Sequence, residues 1–144
     1  MTITLPLTEK DFAWVKMTGA QMKKTADLYL QHKKKTYTVI KNILPEERTF
    51  ENTVYALETC DDIFDDFFSK MGLLSEVSPK KEVREHAHGV ATILSDKLVD
   101  IEYDRDLYIA LVEYYEGNFF DEKKKLRKED IKLVEDTLRE YKRM

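Results

Sequence analysis

Glu85-His86-Ala87-His88 is the segment of this chain best equipped for chemistry. Glu85 and His88 stand three apart, the Glu-x-x-His spacing with which ferritin-like carboxylate proteins hold metal from one helical turn. Helical geometry argues against that use. Measured from the apolar stripe through Val83 and Val90, Glu85 and His88 lie roughly 140 to 200 degrees away, on the face that points from the core. A paired metal site also needs a second such motif, and His32 follows Tyr29 where a Glu is required. His86 and His88, two apart on a helix, point in nearly opposite directions and cannot share one ion. None of the three histidines is followed by Glu. The H-E-x-x-H arrangement, in which two histidines one turn apart hold zinc and the glutamate acts as general base, is therefore missing. No metal ligand, cofactor ligand or catalytic residue is assigned, and these histidines are expected in solvent or at an interface.

Three other groups carry charge or reactivity. Asp61, Asp62, Asp65 and Asp66 form an acidic block. Folding the preceding helix back about residues 47 and 48 brings Lys33 and Lys34 level with Asp62 and Asp61, so interhelical ion pairs are expected in place of a cation site. Cys60 falls on an apolar seam and is read as a buried, inert thiol. Lys123 to Lys125 is read as a solvated loop. Among the aromatics, Phe67 and Phe68 are adjacent and project about 100 degrees apart, which leaves one of them for a wide core or for a docking surface. No nucleophile paired with a base survives inspection, so a self-sufficient enzyme is not expected.

The elements that must carry these residues are helices. Met22, Ala26, Tyr29, Leu30, Tyr37, Ile40 and Leu44 recur at three- and four-residue spacing, predicting a first helix over about 18 to 44, stopped by Pro45. Thr49 is the expected N-cap of a second, with Glu51 in its first turn. Phe50, Leu57, Phe64 and Met71 then repeat every seven residues beside Val54, Cys60, Phe67 and Leu74, a seam suited to antiparallel packing. Ser78-Pro79 opens a third helix, with Val83, Ala87, Val90, Leu94, Leu98 and Ile101 on one face. A short fourth begins near Asp104, buries Leu107, Leu111 and Tyr114 or Tyr115, and ends at Gly117-Asn118. A fifth runs from about Lys128 and buries Ile131, Val134, Leu138 and Tyr141.

Composition agrees with an all-α reading. The 144 residues include only four Gly and three Pro, and no run rich in Val, Ile and Thr alternates with polar residues. The expectation is a single helical domain over 1-144, an antiparallel bundle of about five helices starting with a long helical hairpin. Charged residues make up 36% of the chain, yet the net charge is only -4, which gives no positive field for nucleic acid. A single cysteine and the lack of an apolar N-terminal run make a cytoplasmic, membrane-free protein the expectation.

The stretch from Thr49 to Tyr103 also carries a resemblance. It reads T-F-E-N-T-V-Y-A-L, then S-P-K-K-E-V-R, then L-S-D-K-L-V-D-I-E-Y. This is similar to the helical N-terminal region of the thimet oligopeptidase and oligopeptidase A family of zinc metallopeptidases. In that family one helix opens T-[YF]-E-N-T followed by A-L. A later one opens S-x-x-K-[ED]-[VI]-R and runs into D-K-x-L before D-x-[VL]-[FY]. The matching positions are Thr49, Phe50, Glu51, Asn52, Thr53, Ala56 and Leu57, then Ser78, Lys81, Glu82, Val83 and Arg84, then Asp96, Lys97 and Leu98, with Asp106, Leu107 and Tyr108 after the turn.

The resemblance implies a parent in which two mainly helical halves enclose a deep channel that admits short peptides, cleaved by zinc-activated water. This chain would supply part of the channel wall and no catalytic residue, with zinc belonging to the parent alone. The last helix, Leu126 to Met144, resembles a family helix that continues into a Gly-containing turn, so a boundary set by cloning, by a gene model or by truncation is expected at Met144. The partners implied are the catalytic half and, in the parent, short peptides. The alternative is a stand-alone helical interaction module, and an uncovered apolar face would allow self-association.

Overall fold

A computed structural model describes residues 12–102 and 104–143, with Phe12 and Ala13 described by backbone alone. Tyr103 and Met144 lie outside the described residues. The described chain is all-α, with six α-helices and no strand: α1 Gly19–Asn42, α2 Ala56–Val77, α3 Lys81–Glu102, α4 Arg105–Glu116, α5 Phe119–Glu122 and α6 Lys128–Arg143. Short 3-10 turns at Phe12–Lys16 and Pro45–Glu47 and a π-helical turn at Phe50–Tyr55 complete the order. Contacts divide the chain into two compact units. One takes the described residues up to Lys33 with Asp62–Asp100, and the other takes Lys34–Asp61 with the described residues from Ile101 onward.

The first unit holds the N-terminal part of α1, the C-terminal part of α2 and most of α3. Thr18 starts α1 with a reciprocal cap. Its hydroxyl accepts from the Gln21 N–H at 3.2 Å, and the Gln21 amide oxygen accepts from the Thr18 N–H at 2.9 Å. Met22, Ala26, Tyr29 and Leu30 are buried from α1, Phe64, Phe67, Met71 and Leu74 from α2, and Ala87, Val90 and Leu94 from α3. Tyr29 stacks on Phe67 with ring centroids 4.5 Å apart, and the Lys33 ammonium lies 4.8 Å from the Phe64 centroid. Moving up α1 from 29 to 33 thus moves down α2 from 67 to 64, so the two segments run antiparallel. Helix α3 opens at Lys81, two residues after the start expected from a Ser78 cap and Pro79. Ser78 instead accepts from the Lys80 N–H through its hydroxyl, at 3.4 Å, and from Arg84 Nη1 through its carbonyl, at 2.6 Å.

The second unit buries Tyr37, Ile40, Val54, Leu57, Cys60, Leu107, Leu111, Tyr114, Phe119, Val134 and Tyr141 in one apolar cluster. Asp104 caps α4, accepting from the Leu107 N–H at 3.1 Å, and Gly117 closes it, as the sequence predicts. Helix α5 is an addition to the expected five. Gly117 and Asn118 end α4 but reverse the chain at once into another short turn that buries Phe119.

Several expected core positions are not fully buried. Leu44 is more than a third exposed, while Leu98, Ile101, Ile131 and Leu138 are half-buried. Leu44 is displaced because α1 ends at Asn42 and the chain there is already extended, at ψ 141. Tyr115 gives way to Tyr114 for the core position and stacks on Phe119 at 5.2 Å.

Candidate functional site

Thr49-Phe50-Glu51-Asn52-Thr53 is the segment whose local geometry is most fully determined by its own side chains. Thr49 is extended at φ -127, and its hydroxyl accepts from the Asn52 N–H at 3.0 Å. Asn52 returns the bond, its amide oxygen accepting from the Thr49 N–H at 2.8 Å and also from the Thr53 hydroxyl at 2.8 Å. This is a capping box with Asn standing where Glu or Gln is usual. The turn that follows is π-helical over Phe50–Tyr55. Asn52 Nδ2 then donates back to the Glu47 carbonyl at 3.0 Å.

The loop around this turn is fastened from two sides. Arg48 is buried, with Nη1 donating to the Ile40 carbonyl at 2.8 Å and Nη2 to that of Lys41 at 3.4 Å, which closes the C-terminal end of α1. Its Nε has no hydrogen-bond partner among the described residues and faces the Glu113 carboxylate at 4.0 Å. Burial lowers the guanidinium pKa, and Glu113 opposes that shift. Asn118 Nδ2 donates to the Arg48 carbonyl at 2.8 Å and the Glu46 carbonyl at 3.0 Å. The Phe50 N–H is taken by the Glu122 carboxylate at 3.0 Å. The motif therefore works as a corner that joins α1 to α2 and docks α5. Its polar groups bond to the chain's own backbone.

Two members of the acidic block have partners that the sequence reading did not name. Asp61 accepts from the Tyr37 and Tyr141 hydroxyls, each at 2.8 Å, and those two hydroxyls are 3.0 Å from one another. Burial, then the Asp61 charge, pushes both tyrosine pKa values well above the ordinary phenol. Asp61 thus lies beside Tyr37, one helical turn along α1 from Lys34. Asp66 pairs with Lys70 at 2.7 Å within α2. This cluster was missed from sequence, since the two hydroxyls come from helices separated by 104 positions.

Glu85 and His88 are exposed, on the outward face of α3 as predicted. His86 is half-exposed, with Nε2 at 3.8 Å from Glu82, and its ring lies against Gly19, where an added Cβ would come within 2.6 Å of it. His32 is half-buried and its pKa is lowered by desolvation. Cys60 is buried in the apolar cluster, as expected. Phe67 is fully buried and Phe68 only partly. Among the described residues no group of three or more His, Cys, Asp and Glu could hold a metal ion, and no helix is long and apolar enough to cross a membrane.

A groove of about 810 Å³ in the first unit has mainly apolar walls that include Trp14, Val15, Leu73, Val77, Pro79 and Val83. It suits apolar side chains; Ser78, Glu82 and His86 also line it, with the Ser78 hydroxyl accepting from the Lys80 N–H and His86 Nε2 facing Glu82. A polar groove of about 420 Å³ in the second unit lies beside Arg48 and Glu113.

Comparison with known proteins adds a relative. Over 118 residues the chain is 30% identical to a thimet-like oligopeptidase of Dictyostelium discoideum. The match takes in 82% of this chain but 18% of that protein, so the chain spans less than one-fifth of the length of the curated relative it matches. No family model matches the chain. The similarity points to the thimet-type oligopeptidases, the family that the motifs between Thr49 and Tyr108 resemble.

Proposed function

We propose that this chain is the N-terminal, non-catalytic helical part of a zinc-dependent oligopeptidase, forming part of the wall of a channel that admits short peptides. The observation that carries the reading is the 30% identity to a thimet-like oligopeptidase across 82% of the chain. The corner built on Thr49 and Asn52 supports it, because the T-F-E-N-T string shared with the family has a structural task that preserves the hairpin and needs no substrate. The zinc, its ligands and the general base would belong to the remainder of the parent, and the partner of this chain would be that catalytic half.

The test is to read the source gene beyond the codon for Met144. An in-frame H-E-x-x-H with a further glutamate downstream is the expected result, and a stop codon directly after Met144 would overturn the reading.

A second reading, a stand-alone helical interaction module, is favoured by the apolar groove of the first unit and by Val77 and Phe120, each 62% exposed. It predicts a monomer or closed oligomer that retains a partner in pull-down, with no peptide hydrolysis.

A further inference from the structure

Phe120 stands out among the aromatic side chains because its exposure is imposed by its neighbours. The Gly117-Asn118 turn drives Phe119 inward, where it is buried against Tyr114 and stacked on Tyr115. One residue on, about 100 degrees around the short helix, Phe120 must point outward. Asn118 is fastened to the carbonyls of Glu46 and Arg48, so the platform beneath Phe120 is fixed. Two ammonium groups gather over the exposed ring, Lys123 at 5.2 Å and Lys124 at 5.6 Å from its centroid. Lys125 follows, and among the described residues none of these three lysines forms an ion pair. Arg127, by contrast, is occupied by Asp130 at 3.1 Å and Glu129 at 3.5 Å.

We infer that Phe120, Lys123, Lys124 and Lys125 form a docking surface for an acidic polypeptide segment that carries an apolar side chain. Both lysine charges are held at one ring by its quadrupole. They repel one another, and an incoming carboxylate relieves that repulsion while an adjoining apolar side chain covers the ring. The charge pattern selects a short segment over an extended polyanion. Asp121, Glu122, Glu129 and Asp130 flank the lysines in sequence, and the chain as a whole carries -4. An anionic bilayer or a nucleic acid would bring many anionic groups up to those carboxylates within the screening length of about 10 Å at 0.1 M salt, whereas a short peptide brings only a few. The inference stands independently of the peptidase reading, since it concerns binding and not hydrolysis.

The experiment is a fluorescence-anisotropy titration of the full chain with a labelled peptide of alternating Glu and Leu, alongside its Gln-and-Leu counterpart. Saturable binding of the Glu peptide is expected, at least fivefold tighter than the Gln peptide, and lost at about 0.5 M salt, where screening shortens to about 4 Å. Phe120→Ala is expected to weaken it at least fivefold, and Lys123→Glu with Lys124→Glu to abolish it. All three side chains are exposed, and circular dichroism checks that each variant stays folded. Amide shift mapping should place the bound peptide at residues 119–125. Equal binding of both peptides, no saturable binding, unchanged affinity in the variants, or preferential binding of phosphatidylserine vesicles or an oligonucleotide at these lysines would each overturn the inference.

Discussion

Arg48 closes α1 from outside the helix, and its buried position makes it a charged side chain whose loss the fold should feel. Replacing it with Met keeps the apolar stem but removes its donors from the Lys41 carbonyl and from the Ile40 carbonyl, which keeps only the Ile43 N–H at 3.3 Å. An unsatisfied buried acceptor costs about 1 to 3 kcal/mol, so Arg48→Met should lose about 2 kcal/mol in urea unfolding, with an unchanged slope. A loss below about 0.5 kcal/mol would mean that water serves those carbonyls equally well. The tyrosine pair makes a pH prediction. Tyr37 and Tyr141 have pKa values raised in the folded state, so their protons are held more tightly folded than unfolded. Their contribution is fully present below pH 10, the ordinary phenol value, and is lost as pH rises above it. The slope approaches about 1.4 kcal/mol per pH unit for each tyrosine. Tyr141→Phe should cost about 1 kcal/mol at pH 7 and flatten the alkaline fall seen by thermal melting between pH 9 and 11. An identical alkaline slope in that variant would show that other groups govern it. Sequence periodicity placed Tyr37 and Tyr141 in the core, but it carries no information on which hydroxyl meets which carboxylate. Arg48 went unnoticed for a similar reason, because a lone arginine between Glu47 and Thr49 reads as loop polarity until the helix end it serves is located.

At the scale of elements, the corner between α1 and α2 concentrates the local instructions. Thr49→Ala removes one cap acceptor and should cost about 1 kcal/mol. Asn52→Ala removes the return bond to Thr49, the link to Thr53 and the donor to Glu47 together, so it should cost more, about 2 kcal/mol. Equilibrium unfolding of both variants checks the order, and a smaller loss for Asn52→Ala than for Thr49→Ala would contradict the reciprocal geometry. The Thr49 cap, the opening of α4 at Asp104 and its end at Gly117 were all legible, because each depends on residues within three positions of the boundary. The π-helical turn was not. It arises where the second helix must satisfy the cap and a bond from Phe50 to Glu122 at once, and Glu122 lies 72 positions away. The same tertiary demand explains α5, since the fixing of Asn118 onto the α1–α2 loop turns what reads as a helix stop into a new start. At α3 the Ser-Pro signal was legible but misplaced by two residues, because Ser78 uses its carbonyl for Arg84 and its hydroxyl for Lys80 before the helix begins.

For the whole molecule, the question that separates a channel wall from an enzyme is whether this chain can hold zinc by itself. All three histidines and the single cysteine lie within the described residues. His86 and His88 are exposed on divergent faces of α3, His32 is half-buried on α1, and Cys60 is enclosed in the apolar cluster of the second unit. Structural and catalytic zinc sites take three or four convergent ligands, chiefly thiolate and imidazole. Here the donors of that class do not converge, so the stability of the chain should not depend on the ion. A site bound a hundredfold above its Kd would add about 2.7 kcal/mol, which corresponds to several degrees in Tm for a chain of this length. Adding zinc to the protein, or treating it with a chelator, should therefore leave Tm within about 1 °C. The same samples should leave a quenched fluorogenic peptide uncut. Both outcomes follow if the motifs from Thr49 to Tyr108 serve architecture alone. A saturable zinc-dependent rise in Tm would instead mean that the helices rearrange to bring the histidines together, and peptide cleavage that appeared with it would make this chain a peptidase in its own right.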